Sequence, residues 1–415
     1  MLNRLKVIFE NSRFLQLFII TACIQGGVIV SQFMVTPWID PSVLGVIRSL
    51  ETVIALVVLA GSLGMQSIAV RDTAEREEYN HQNSVLRRVF VLIGIASAIV
   101  IVTIFVVHTF LISTAISSYV LSTCGLVLIT NLLRASTGFA QGVKATRNIY
   151  LILMIVSSGV VVLHVVLTRL YGIHGWIVAR YTGELLCLLA VWWRLKVYVV
   201  PALDMRGLNL RDLISTARSG VTINASLFVR LFVDSLPVLM LTALHIKTEE
   251  IGYFGIAILS LVLGFLPLAI IAQRAIPDFV EVLNDKMVLK ERYASLTAMM
   301  VKVSLGFAAM LIALSLLWLV VGRASYRPAA MYMIALALAM PLKAISLSCG
   351  TMLVALRVFD ASLKINILEG VLVLGVLYVG VPIWGGWAGV FAYAAGAVLS
   401  MFLLFFATRL RLDDL

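Results

Sequence analysis

The chain has 415 residues, of which 61% are hydrophobic and 13% charged, and its mean hydropathy is +1.05. Soluble domains average about 45–50% apolar and about 25% charged residues, so a soluble fold would leave too much apolar surface in water. The formal net charge is +11, but the basic residues are scattered over short connecting segments, which argues against a nucleic-acid partner. The composition predicts a protein that uses the lipid bilayer as its solvent.

Apolar runs of roughly 20 residues recur along the chain without the alternation of a strand. Because hydrocarbon offers no partners to backbone N–H and C=O groups, such runs predict membrane-spanning α-helices. We expect an all-α integral membrane protein with about twelve spans. The predicted spans are residues 14–36, 43–69, 89–111, 119–141, 149–168, 174–193, 220–243, 251–273, 297–321, 328–355, 361–381 and 386–408.

Lysine and arginine are concentrated in one of the two sets of connections between these spans. The opposite set holds only Arg169, Lys247, Arg323 and Arg327. Because cytoplasmic loops carry the excess of basic residues, we expect a multi-pass protein of the inner membrane with both termini in the cytoplasm. The longest break falls near the middle of the chain and predicts two lobes. We expect an N-terminal lobe in residues 1–200, a cytoplasmic linker in residues 201–215 and a C-terminal lobe in residues 216–415.

The two halves resemble each other at an offset of about 210 residues, which predicts a duplication. The matches are Leu133-Arg134-Ala135-Ser136 with Leu342-Lys343-Ala344 and Ser346, Arg147 with Arg357, Gly172 and Gly175 with Gly386 and Gly389, and Gly45 with Gly255. With six helices in each half, the lobes would be related by a pseudo-two-fold axis along the membrane normal, with a cavity between them.

Several charged residues fall inside the predicted spans, where each costs at least about 2.5–3.5 kcal/mol. Three sets have helical spacing: Arg48 with Glu51, Arg180 with Glu184, and Arg230 with Asp234. Lone charges are Arg134, Lys302, Lys343 and Glu369. One interpretation is structural, because pairs at this spacing neutralise each other and join neighbouring helices. The other is that the basic groups line a hydrated cavity and attract an anionic substrate.

On the functional interpretation, Arg48 and Arg230 are the strongest candidates because they lie in different lobes and have polar neighbours. Guanidinium groups bind phosphate oxygens in a bidentate manner. The candidate substrate-binding residues are Arg48, Arg230, Lys343 and Arg134. The candidates for ion coupling or for pairing with these cations are Glu51, Asp234 and Glu369.

Three prolines fall inside predicted spans, Pro237, Pro267 and Pro341. A proline inside a helix removes a hydrogen bond and bends the axis, and the freed backbone groups need a cavity or a neighbouring helix. These positions are either hinges for moving lobes or ordinary kinks.

Signatures of catalysis and of metal binding are absent from the sequence. It has no Gly-x-x-x-x-Gly-Lys loop for ATP and no His-Glu-x-x-His motif for zinc. The cysteines have no paired spacing and fall in apolar segments, so we interpret them as small core residues. We therefore expect no cofactor, no metal and no enzymatic activity.

Three local sequences carry a family resemblance: Ile251-Gly252-Tyr253-Phe254-Gly255, Tyr171-Gly172-Ile173-His174-Gly175 and Arg274-Ala275-Ile276-Pro277. Together with twelve helices in two lobes, they resemble the MOP superfamily, which includes the MATE transporters. Within it the chain is most similar to the polysaccharide transporters, the Wzx-type flippases of O-antigen and capsule units. The first span carries no charge, whereas some related lipid flippases have an arginine there.

The resemblance implies a MATE-like fold and a transport function. The implied substrate is an undecaprenyl-pyrophosphate-linked oligosaccharide, flipped by alternating access for O-antigen, capsule, lipopolysaccharide or exopolysaccharide biosynthesis. Implied partners are membrane lipids, a proton or sodium ion, and a polysaccharide polymerase with its chain-length machinery. Two alternatives stay open: a MATE-like, cation-coupled exporter of drugs or small molecules, and an enzyme that joins glycans outside the membrane.

Overall fold

The structure is a computed structural model that describes residues 27, 29–75, 78–110, 115–143, 145–202, 209–283, 285–356 and 358–414. Most of the first predicted span lies outside these ranges, as does Arg357 of the predicted repeat. The side chains of Arg147, Ser226, Arg274 and Pro277 are also outside the described part. Within the described ranges the chain is almost entirely α-helical and contains no β-strand.

From Pro41 onwards the helices are numbered in chain order. They are α1 (Pro41–Ser62), α2 (Met65–Glu75), α3 (Tyr79–Phe110), α4 (Ala115–Thr123), α5 (Leu126–Gly142), α6 (Thr146–Arg194), α7 (Lys196–Ala202), α8 (Leu210–Ala243), α9 (Thr248–Val280), α10 (Lys286–Val321), α11 (Arg327–Leu338), α12 (Met340–Ala355), α13 (Phe359–Trp384) and α14 (Trp387–Asp414). A single 3₁₀ turn, Ala324–Tyr326, precedes α11.

Seven helices of the described part are long and apolar enough to cross a membrane, and the bent pair of α11 and α12 gives an eighth. This confirms a multi-pass, all-α membrane fold. Two other predicted spans, 119–141 and 220–243, are also helical. The first is divided between the short helices α4 and α5, and the second lies in α8, which carries Arg230 and Asp234 inside the predicted span.

Helix α6 is a hairpin of two antiparallel arms. Its 49 residues would extend about 74 Å as one straight helix, against about 30 Å of hydrocarbon. The backbone is non-helical at Gly172, where φ is 57° and ψ is −132°. On either side of this turn Gly175 packs against Leu167, and Gly183 packs against Val160. The single helix therefore contains both predicted spans, 149–168 and 174–193.

Helices α13 and α14 form a second hairpin with the same construction. Gly385 joins them with φ 55° and ψ −130°. Across this turn Gly380 packs against Ala388, and Gly396 packs against Val373. These contacts match those of α6 at an offset of 213 residues, so Gly172 corresponds to Gly385. The duplication predicted from the sequence is thus present in these hairpins, one residue away from the expected match with Gly386.

Residue contacts divide the chain into two compact units. The first contains the described residues up to Val35 together with Leu50–Phe228, and the second contains Thr36–Ser49 and Val229–Leu415. Both α1 and α8 therefore contribute to both units. The linker expected at residues 201–215 stays a prediction, because residues 203–208 lie outside the described part.

The core of each unit is built from apolar helix faces. In the first unit, α2, α3, α5, α6 and α7 bury a cluster that includes Met65, Leu86 and Phe139. In the second unit, α9, α10, α12 and α14 bury Leu268, Met300 and Met352. Because lipid is as apolar as these side chains, their close packing and not their removal from water fixes the rotation of the helices that carry the charged residues.

The helix α1 crosses α9 inside the second unit at two glycines. A Cβ atom added to Gly45 would lie 3.1 Å from the backbone nitrogen of Gly252, and one added to Gly252 would lie 3.1 Å from that of Gly45. This reciprocal contact brings two backbones together as only residues without a side chain allow. It also explains the glycine of the Ile251-Gly252-Tyr253 sequence.

Of the three predicted helix breakers, only Pro341 marks a break. Helices α11 and α12 meet at an angle of 44°, and Pro341 lies in the first turn of α12. Pro237 lies inside the uninterrupted α8, and Pro267 lies inside the uninterrupted α9. Proline at the start of a helix costs little, because the first N–H groups have no intrahelical partner.

Candidate substrate-binding site

A cavity of about 540 Å³ lies inside the second unit. Helices α8, α9, α12, α13 and α14 contribute to its wall. Four charged residues line it: Arg230, Asp234, Lys343 and Glu369. The remaining polar lining consists of hydroxyl and amide groups, from Ser346, Thr351, Ser362, Asn366, Tyr393 and Ser400. The cavity therefore brings together four of the seven residues that the sequence predicted.

Lys343 and Glu369 form a close ion pair across two helices. The Nζ atom of Lys343 donates to Oε1 of Glu369 at 2.5 Å, and the two side chains are 18% and 9% exposed. The Tyr393 ring lies below the same ammonium group, with its centroid 5.3 Å from Nζ. A buried carboxylate and a buried ammonium group are tolerated here because the attraction between their charges offsets the cost of removing each from water.

The position of Lys343 follows from the helix break. Pro341 lies in the first turn of α12, and the Lys343 N–H donates to the Ala339 carbonyl at 3.2 Å across the bend. Irregular backbone at membrane depth is tolerated where it is buried in protein or lines a cavity. The bend thus presents Lys343 to the cavity within the first turn of the new helix.

Arg230 and Asp234 lie one turn apart on α8 and both belong to the cavity wall. Their side chains are exposed, in contrast to the buried Glu369. The packing of Val233 against Gly370 of α13 fixes the rotation of α8 at this level. A guanidinium group in this position can offer two parallel N–H donors to a bound anion.

A second charged cluster lies inside the first unit. Arg180 is 3.0 Å from Glu184 on the same arm of α6 and 3.6 Å from Glu51 of α1. All three side chains are at most 17% exposed. The pair expected from the spacing of Arg180 and Glu184 is therefore present. Glu51, which the spacing along α1 places with Arg48, also lies beside Arg180 of α6.

Arg134 of α5 belongs to the surroundings of this cluster, because the charges of Glu184 and Arg180 both act on it. Lys343 has the matching place in the second unit. Each of the two basic residues comes from the helix before a hairpin and lies near residues of that hairpin, Arg134 near Glu184 of α6 and Lys343 near Tyr393 of α14. Neighbouring serines follow the same pattern, since Ser136 accepts from Trp192 and Ser346 contacts Ser400.

Arg48 has a different environment from the other candidates. It is half-buried in the second unit, and its aliphatic stem packs against Gly255 of α9. It is not among the residues that line the cavity. A side chain at position 255 would collide with the aliphatic part of Arg48, which explains the glycine there. The sequence repeat matches this glycine with Gly45.

The neutral part of the cavity wall was not predicted from the sequence. Ser362, Asn366 and Glu369 follow each other at the spacing i, i+4, i+7 and share one face of α13. That pattern was available in the sequence and would have indicated a polar face toward the protein interior. Tyr393 carried no such signal, because one tyrosine in an apolar helix is common. Within the described ranges, no group of three or more His, Cys, Asp or Glu residues is placed to hold a metal ion.

Comparison with known proteins shows likeness in structure and not in sequence. No protein family model matches the chain, and no curated protein sequence matches it. An inward-facing multidrug resistance MATE family transporter of the MOP superfamily is 14% identical, with 94% of each chain covered and a TM-score of 0.80. The lipid II flippase MurJ, in an inward closed conformation, is 11% identical and has a TM-score of 0.74, with 97% of this chain and 87% of that chain covered.

A third similar structure is a MOP superfamily transporter from Pyrococcus furiosus, described as having a binding pocket of reversed polarity. It is 15% identical, covers 96% of this chain and 94% of its own, and has a TM-score of 0.65. At sequence identities this low, structural similarity establishes a shared fold but not a shared function. The chain has the fold of the MOP superfamily transporters and flippases.

Proposed function

We propose that this protein flips a polyprenyl-pyrophosphate-linked oligosaccharide across the cytoplasmic membrane by alternating access. The repeat units so delivered would serve O-antigen, capsule or exopolysaccharide assembly, with a polymerase and its chain-length machinery as the next partners. Both termini would lie in the cytoplasm. No covalent chemistry is required, because the cycle consists of binding and conformational change.

The observation that carries this proposal is the cavity with Arg230 and Lys343 in its wall. A pyrophosphate cannot cross about 30 Å of hydrocarbon unaided. Arginine and lysine are the usual partners of phosphate oxygens, and the serine, threonine and asparagine side chains suit sugar hydroxyls. At about 540 Å³ the cavity has the size of a head-group subsite, so the lipid tail would stay in the bilayer.

The acidic residues of the same cavity could couple transport to an ion gradient. Asp234 and Glu369 are candidates for binding a proton or a sodium ion. In the ion pair Lys343 is neutralised by Glu369, so its charge is available to a phosphate only when that pair opens. Glu51, which lies beside Arg180 in the first unit, is a further candidate.

A MATE-like, cation-coupled exporter of drugs or small molecules is the second candidate. It is favoured by the TM-score of 0.80 with a multidrug MATE transporter. It is also favoured by the exposed carboxylate of Asp234, which would attract a cationic substrate. The two proposed functions differ in the residue that binds the substrate. A flippase would bind an anionic head group through Arg230, and an exporter would bind a cation through Asp234.

The test is transport of a fluorescent polyprenyl-pyrophosphate oligosaccharide by purified protein in proteoliposomes. Arg230→Gln and Lys343→Met should each lower the initial rate at least about tenfold, equivalent to ~1.4 kcal/mol. Arg48→Ala should lower the rate as well, because we propose that this guanidinium group also binds the anionic head group, although it lies outside this cavity. Arg211→Gln is the matched control, because Arg211 is exposed on the same helix as Arg230 and outside the cavity.

One outcome would contradict the flippase function. A folded wild-type protein that moves no lipid-linked glycan, and that exports a cationic dye in a manner dependent on Asp234, would replace the flippase by the exporter. Insertion and folding of each variant are checked by its unfolding temperature in detergent.

A further inference from the structure

The hairpin α6 carries a long apolar groove on its outer surface. The groove measures about 640 Å³ and is open to its surroundings. Residues from both arms form its wall, among them Ile155, Gly159, Leu163, Leu186, Ala190 and Trp193. Every lining residue is apolar, and most are exposed, so this face meets the hydrocarbon of the bilayer.

Two small residues keep the groove open. A Cβ atom added to Gly159 would have no neighbour within 4 Å, so no close packing explains this glycine. Its φ is not positive, so no turn explains it either. Glycine inside a helix is about 1 kcal/mol less favourable than alanine. The second small residue, Ala190, lies on the other arm and also lines the groove.

The second hairpin has larger residues at the two equivalent positions. At the offset of 213 that relates the two hairpins, Gly159 corresponds to Leu372 and Ala190 corresponds to Leu403. Leucine side chains at both positions would occupy the space that the first hairpin leaves empty. At this level along the arms the groove belongs to the first hairpin, whereas the second hairpin has an apolar groove of about 570 Å³ nearer its turn, lined by Val376, Trp384, Trp387, Phe391 and Ala395.

One end of the groove carries aromatic and basic residues. Trp193 is 68% exposed, and Arg194 and Lys196, which follow it, are exposed as well. Tryptophan and basic residues are typical of the level of the lipid head groups. From Trp193 to Leu186 the groove runs about 10 Å along the helix, which is a large part of one hydrocarbon leaflet.

We infer that this groove binds the isoprenoid tail of a polyprenyl-phosphate lipid, with the phosphate at the Arg194 end. The occupant is a lipid because the wall is apolar and the end is cationic. It is the isoprenoid lipid because the inference rests on the proposed function, in which this lipid approaches the protein from the leaflet where Arg194 lies. The groove then holds the tail along the surface of α6.

Photolabelling locates the tail. A polyprenyl phosphate with a photoreactive group in its tail is incorporated into liposomes with the wild-type protein, and labelled residues are mapped by mass spectrometry. Label should concentrate on Ile155, Leu189 and Trp193 and should be displaced by unlabelled polyprenyl phosphate. Displacement by an equal amount of phosphatidylglycerol would show a general lipid contact and would overturn the inference.

The variant Gly159→Leu/Ala190→Leu gives the groove the side chains of the second hairpin. It should lose at least about tenfold of the labelling. The matched control is Gly375→Leu, because Gly375 is exposed on α13 and also has no neighbour within 4 Å of an added Cβ. Equal labelling of both variants would overturn the inference, as would crosslinks between two protein copies through this face.

Labelling and transport separate the inference from the proposed function. If the wild type flips the glycolipid and the filled groove changes neither labelling nor rate, the groove has no role and the function stands. If the wild type flips nothing but the groove is labelled selectively, the lipid site stands and the function fails.

Discussion

Gly172 and Gly385 adopt the same backbone conformation, with φ and ψ of 57° and −132° at the first and of 55° and −130° at the second. Each forms the turn of a helical hairpin. A positive φ is freely open to glycine, whereas an L side chain is strained there. The two turns are therefore places where the sequence dictates the fold through the backbone and not through packing.

Replacement of Gly172 by alanine should lower the free energy of unfolding by about 1–3 kcal/mol, since the strained φ is the only penalty. An added Cβ at Gly172 has no neighbour within 4 Å, so no clash contributes. Gly385→Ala should cost more, because its Cβ would also meet the Glu250 carboxylate. The measurement is thermal unfolding in detergent.

The control for these two variants is Gly306→Ala. Gly306 lies inside α10 with open space around an added Cβ, and its φ is not positive. Alanine there should be neutral or stabilise by up to about 1 kcal/mol. A Gly172→Ala protein as stable as Gly306→Ala would show that the turn is not strained.

The repeat was predictable from the sequence, but its register in the hairpins was not. Gly385 and Gly386 are adjacent and equivalent to a sequence comparison, and the offset near 210 favours neither. The backbone torsion and the matching contacts of Gly183 and Gly396 select Gly385. Helical spans were predictable for a simpler reason, because a bilayer imposes length and apolarity on each one.

The partners of the charged residues were only partly predictable. Spacing along one helix correctly pairs Arg180 with Glu184. Spacing carries no information about a residue on another helix, such as Glu51 beside Arg180 or Glu369 beside Lys343. Those contacts depend on the rotation of two packed helices, which is set by the apolar faces of both.

The crossing of α1 and α9 should not tolerate side chains. A Cβ atom added to Gly45 would lie 2.7 Å from the carbonyl carbon of Thr248, and backbone atoms cannot move aside as a side chain would. Gly45→Ala and Gly252→Ala should each destabilise by about 1–3 kcal/mol, the usual range for overpacking. Thermal unfolding in detergent measures the effect.

Gly94 is the matched position for this pair, because it lies in α3 with no neighbour within 4 Å of an added Cβ. Its alanine variant should retain the unfolding temperature of the wild type. Equal behaviour of Gly45→Ala and Gly94→Ala would mean that α1 and α9 are not in close contact.

The ion pair of Lys343 and Glu369 should show strong coupling. Lys343→Met leaves the Glu369 carboxylate, 9% exposed, without its partner, and should destabilise by about 3–5 kcal/mol. Adding Glu369→Gln should restore most of that stability, because the buried charge is then removed. The double variant should still fail to transport. Additive effects in a double-mutant cycle would show that the two groups do not interact.

The cluster around Arg180 should respond in the same direction and more strongly, because one cation serves two carboxylates. Arg180→Met leaves Glu51 and Glu184, 13% and 11% exposed, as unpaired buried charges, and should destabilise by at least about 3–5 kcal/mol. Glu51→Gln and Glu184→Gln should each restore part of the loss. Thermal unfolding of the four proteins measures it, with Arg194→Met, an exposed residue on the same arm, as the control. If neither glutamine variant restores stability, the loss arises from packing of the arginine stem and not from charge.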